Sequence, residues 1–65
     1  MNQYVGMSFD YFFGGFHYMW SVKILSVMDN GYFLTEINDN GKTWKSNASY
    51  GEIKNNIKKG LYIAK

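Results

Sequence analysis

The chain is expected to fold as a small α+β domain, mainly β: an antiparallel meander followed by one short C-terminal helix. Three observations predict this. Asn-Gly occurs twice, at Asn30-Gly31 and Asn40-Gly41, each time between runs that alternate apolar and polar residues. Ser49-Tyr50-Gly51-Glu52 has the form of a helix capping box, and Gly60 stands where a helix would stop. Leu61-Tyr62-Ile63 then alternates again, as a short closing strand would. Meander, helix and final strand together have the layout of a small half-barrel of the SH3-like type, which by itself fixes no functional residue.

The first segment, residues 1–19, crowds Tyr4, Phe9, Tyr11, Phe12, Phe13, Phe16 and Tyr18 together with little helical periodicity. Phe13-Gly14-Gly15-Phe16 permits a two-residue hairpin turn, since Gly-Gly tolerates the positive φ of a type I′ turn. Phe12 would then face His17, and Tyr11 would face Tyr18. An irregular aromatic loop before the Trp20 strand is the alternative. An extended segment or hairpin is favoured, its aromatics serving first as core filling.

Residues 20–46 give the three-stranded meander. Taking Asn30-Gly31 as a two-residue loop sets Met28 opposite Phe33, Ser26 opposite Thr35 and Ile24 opposite Ile37. Taking Asn40-Gly41 likewise sets Ile37 opposite Trp44, Glu36 opposite Lys45 and Asp39 opposite Lys42. Both registers place Trp20, Val22, Ile24, Met28, Phe33, Ile37 and Trp44 on one face, because side chains alternate along a strand. The other face is mixed. There Leu25, Val27 and Leu34 form an apolar island, with Val27 opposite Leu34, that needs a cover.

A helix over residues 50–59 is bounded at both ends. Tyr50, Ile53 and Ile57 make a narrow apolar stripe, Ala48 and Ile53 fit a hydrophobic staple, and Lys58 and Lys59 suit the negative end of the helix dipole. Residues 61–64 close the single domain.

At 65 residues the chain can bury only about 60% of the surface it exposes when unfolded. It has no cysteine and one histidine, so neither disulfides nor a structural zinc site can staple it. Its means of stability are dense aromatic packing, at 20% Phe, Trp and Tyr, or self-association. The net charge of +2 is mild and uneven: residues 1–32 set Lys23 against Asp10 and Asp29, and the lysines concentrate in the second half. Residues 1–20 lack a basic start, and Asp10 and Gly14-Gly15 interrupt their apolar run. Neither a signal peptide nor a membrane span fits, and the acidic and leucine pattern of a double-glycine leader is missing. A cytoplasmic location is expected.

No catalytic constellation emerges, so no enzyme, cofactor or metal is expected. Asp10 and His17 could in principle form a general-base pair, but His17 sits in an aromatic stretch where a half-buried structural role is the better reading. Asp29 and Asp39 belong to turns, and Asp39-Asn40-Gly41 lacks the spaced oxygen ligands of a calcium loop. Two binding surfaces remain. Phe12, Phe13, Phe16, Leu25, Val27 and Leu34 are the candidate interface; Lys42, Lys45, Lys54 and Lys58 are the candidate basic patch. The first fits a non-catalytic protein-binding module, a homodimer that blocks a larger host protein. The second fits a small domain holding single-stranded nucleic acid through lysines and aromatics.

Arginine and proline are absent while Asn, Lys, Ile and Tyr abound, a bias that points to an AT-rich genome. A small chain of this character, without cysteine or catalytic residues, resembles the inhibitors that phages encode against bacterial defence or host enzymes. The Hachiman anti-defence proteins are one such group. The resemblance covers the whole chain by size and character and carries no individual residue across. It implies an inhibitory function in the host cytoplasm.

Overall fold

The computed structural model describes residues 2–14 and 16–65. After a 3-10 turn at Asn2–Tyr4 come β1 (Ser8–Phe13), β2 (His17–Val27), β3 (Phe33–Asp39), β4 (Lys42–Ala48), α1 (Tyr50–Lys58) and β5 (Tyr62–Ala64). The strands form one antiparallel five-stranded sheet in the order β4-β3-β2-β1-β5. The meander therefore has four strands, the aromatic N-terminal segment supplying the extra one. The helix lies in the connection between the two edge strands. It carries the chain from one side of the sheet to the other, so that β5 can pair with β1.

One face of the sheet holds the core. Phe9, Val22, Ile24, Phe33, Ile37, Ala48 and Tyr62 are buried there, and Ile53 reaches down from the helix with no exposed surface. Tyr50 and Ile57 complete the helix stripe against the same cluster. Burying a side chain the size of Phe33 or Ile53 stabilises by roughly 1.5–3 kcal/mol, so this single layer supplies most of the driving force. Among the described residues, Thr35 is the one buried polar residue of the core, at 2% exposure.

The helix ends follow the expected chemistry. The Ser49 hydroxyl accepts from the Glu52 amide at 3.1 Å, and Lys59 rather than a further helical residue is the C-cap. Gly60, with φ of 78°, donates to the Ile57 carbonyl at 3.1 Å, and Leu61 donates to Asn56 at 2.9 Å. This pair of bonds satisfies the last carbonyls and turns the chain sharply into β5.

The expected β3–β4 register is the observed one, from Asp39 opposite Lys42 to Glu36 opposite Lys45 and Ile37 opposite Trp44. The expected β2–β3 register is not. Val27, not Met28, lies opposite Phe33; Ser26 faces Leu34, Ile24 faces Thr35, and Val22 faces Ile37. The turn has three residues, Asp29 to Gly31, because Met28 donates to Tyr32 at 2.7 Å and Gly31 to Met28 at 3.0 Å. A bulge at Leu25 adds a second one-residue slip.

β1 and β2 differ from expectation in the same way. Phe13 faces His17 and Phe12 faces Tyr18, so three residues connect the strands; the Gly15 part of the expected turn lies outside the described residues. A bulge at Met19 then brings Tyr11 opposite Trp20. Each hairpin thus slips twice by one residue. Two slips restore the facing, which is why Trp20, Val22, Ile24, Phe33, Ile37 and Trp44 share a face even though the β2 partners of Phe33 and Ile37 differ from those expected.

Candidate functional site

Two surfaces stand out, both built from aromatic residues that the core does not absorb. The first is the β1–β2 hairpin tip. The β2–β3 ladder begins only at Ser21 and Asn38, and β5 reaches no further along β1 than Tyr11. The Phe12 amide still donates to the Leu61 carbonyl at 2.7 Å, so it is from Phe13 to Tyr18 that the hairpin is a two-stranded projection beyond the rest of the sheet. Phe16 is 86% exposed, Phe13 64% and Tyr18 51%. Phe12 is half-buried against Tyr18, their rings 5.7 Å apart edge to face. His17 is exposed on this tip, opposite Phe13.

The second surface is a cleft of about 250 Å³ between the sheet's core face and the side of the helix. Tyr11 from β1, Trp20 from β2, Trp44 from β4 and Tyr62 from β5 wall it, and Glu52 and Asn56 approach from α1. Trp20 lies 5.6 Å from Tyr11 and 5.9 Å from Trp44; Tyr11 lies 5.6 Å from Tyr62. The Trp20–Trp44 planes meet at 74° and the Tyr11–Tyr62 planes at 83°, so the walls face several directions. Among the described residues, Glu52 supplies the one carboxyl side chain in the lining, and no lysine joins it. Burial pushes the Tyr62 hydroxyl above the ordinary tyrosine range; Asn56 offsets part of this and the Glu52 charge adds to it.

The expected site residues are not all gathered. Phe12, Phe13 and Phe16 share the hairpin tip. The Leu25–Val27–Leu34 island is divided: Val27 packs against the core, Leu25 is half-buried at the bulge, and Leu34 stands opposite Ser26 and Asn47. Among the lysines, Lys54 and Lys58 share the helix, where Lys54 sits 6.0 Å from the centre of the Tyr50 ring. Lys45 is bound to Glu36 at 3.2 Å, and Lys42 closes the β3–β4 turn. Alternation sets Lys45 on the sheet face away from Trp44, which lines the cleft. Asp10 and His17 are not brought together. The Asp10 carboxylate instead accepts from Ser21 at 3.2 Å and lies 3.7 Å from the Lys65 ammonium.

Searches of family models, curated proteins and solved structures return no match for this chain. The cleft itself was partly visible in the sequence, because strand alternation put Trp20 and Trp44 on one face. Tyr11 and Tyr62 join them because β5 pairs beside β1.

Proposed function

We propose that the chain is a non-catalytic protein-binding module, an inhibitor of phage or mobile-element origin that blocks a larger bacterial defence or host protein and works as a homodimer. The observation that supports it most is the hairpin tip, where Phe13, Phe16 and Tyr18 stand in water on a projection with no cover of its own. Full burial of an exposed phenylalanine is worth roughly 1.5–3 kcal/mol, most of which Phe16 forgoes, and a partner surface is the means of recovering it. Aromatic side chains are also the residues that anchor the centres of protein interfaces. The nucleic-acid alternative has less behind it, since Lys45 is engaged by Glu36 and lies apart from the helix lysines.

The test is a Phe13→Ser/Phe16→Ser variant compared with the wild type. Both residues are exposed, so the circular dichroism spectrum and melting temperature should hold. Sedimentation at micromolar concentration should give a dimer for the wild type and a monomer for the variant. Tagged wild type should retain one host protein that the folded variant loses. A monomeric wild type would remove the dimer, and equal retention by both chains would remove the tip as the contact surface.

A further inference from the structure

We infer that the cleft between helix and sheet binds a small organic cation whose charge is carried by an alkylated ammonium group. Four aromatic rings wall the cleft, and the faces of such rings carry the negative part of the π quadrupole, which attracts a cation within about 6 Å. Glu52 adds the one formal charge, and it too is negative. Among the described residues no cation lies within ion-pair distance of Glu52. None of the chain's seven lysines lines the cleft, although the protein as a whole carries +2. A positively charged protein thus keeps one cavity that is aromatic, anionic and free of its own cations.

The chemistry selects an alkylated over a primary ammonium. Methyl groups on nitrogen weaken its hydration and bring apolar surface to the rings, whereas a primary ammonium is compact and strongly hydrated. Size agrees. A drug-sized ligand fills about 300–1,000 Å³, and this cleft, at about 250 Å³, suits a headgroup rather than an extended molecule. Trp44 is 43% exposed, so the cleft opens to solvent on the β4 side and needs no rearrangement for entry.

Both tryptophans of the chain line the cleft, so intrinsic tryptophan emission reads its occupancy. Choline and N-acetyl-trimethyllysine should each change the emission saturably, and bind about ten-fold tighter than lysine or the uncharged isostere 3,3-dimethylbutanol. Tighter binding of choline marks a free small cation as the source, and tighter binding of trimethyllysine marks a modified side chain; either supports the inference. Glu52→Gln should weaken binding about five-fold, and Trp44→Leu should abolish it. Should Trp44→Leu fail to fold, Glu52→Gln still tests the site, because it changes one exposed side chain and leaves the capped amide in place. Phe16→Ser should leave cation binding intact, which separates this cleft from the hairpin tip. Equal affinity for the neutral isostere or for lysine, or no change with either alkylated ammonium, would overturn the assignment.

Discussion

Asp29-Asn30-Gly31 and Asp39-Asn40-Gly41 are the same tripeptide, and the chain folds them two ways. In the second, Asn40 and Gly41 both take positive φ, 57° and 89°, and form the tight two-residue turn. Asn38 supports it by accepting from the Gly41 amide at 3.2 Å. In the first, only Gly31 has positive φ, 83°, and Asp29 joins the loop as a third residue. Asn30 instead accepts from the Tyr32 amide at 3.0 Å. Turn chemistry permits both forms, so the strands must decide between them.

The decision follows from what each register would bury. A two-residue first loop with no bulge would put Ser26 on the core face opposite Thr35 and send Val27 outward. Burying an unpartnered hydroxyl costs about 1–3 kcal/mol, and leaving a valine out forgoes a similar amount. The observed loop and the bulge at Leu25 reverse both, seating Val27 against Phe33 and turning Ser26 to solvent. The bulge gives up about one ladder hydrogen bond, about 1 kcal/mol, and the exchange favours it. No such conflict exists in the second hairpin, where the tight turn already aligns Ile37 with Trp44.

The sharpest way to break this account is to charge the two candidate partners of Phe33 in turn. Val27→Asp places a carboxylate against the core and should cost at least about 3 kcal/mol, enough to abolish cooperative melting in a domain of this size. Met28→Asp, at the mouth of the loop, should cost under about 1 kcal/mol. Thermal unfolding followed by circular dichroism separates them. If Met28→Asp were the worse of the two, the two-residue register would be the true one.

The same contrast explains what was legible in advance. Features set by a few adjacent residues were readable: the Ser49 cap, the Gly60 stop and the Asn40-Gly41 turn with its whole ladder. The mainly β class and the facing of the central apolar residues were readable too, since alternation survives a slip of two. The bulges at Met19 and Leu25 carry no local signature; they arise where a longer loop must be reconciled with the core pattern on a distant strand. The hairpin tip is half legible: Phe12, Phe13 and Phe16 stand together in the sequence, but the exposure of Phe13 and Phe16 depends on β3 and β5 stopping short. Glu52 was readable only as a cap residue. Its place in the cleft depends on where the helix crosses the sheet.

A smaller effect should distinguish the turns themselves. Asn40 holds a left-handed conformation that costs an ordinary residue about 1–2 kcal/mol, whereas Asn30 does not. Asn40→Ala should therefore lower the melting temperature by about 4–8 °C, the shift that 1 kcal/mol gives in a domain of this length. Asn30→Ala, which loses one exposed side-chain bond to Tyr32, should lower it by half of that or less. Equal losses would mean that the two tripeptides adopt one conformation in solution.

The smallest expected effect lies where the two hairpins share a residue. Glu36 on β3 stands opposite Lys23 across the first hairpin and opposite Lys45 across the second. Only Lys45 reaches it, at 3.2 Å, with both side chains substantially in water. An exposed pair of this kind is worth about 0.2–1 kcal/mol and weakens as salt screens it. A double-mutant cycle of Glu36→Ala with Lys45→Ala should show coupling in that range at low ionic strength, falling toward zero near 1 M salt. The matching cycle with Lys23→Ala should show none. The slipped register of the first hairpin sets Lys23 on the same outer face, yet its ammonium makes no bond to Glu36. Coupling to Lys23 as large as that to Lys45 would show that Glu36 divides its charge between the two hairpins.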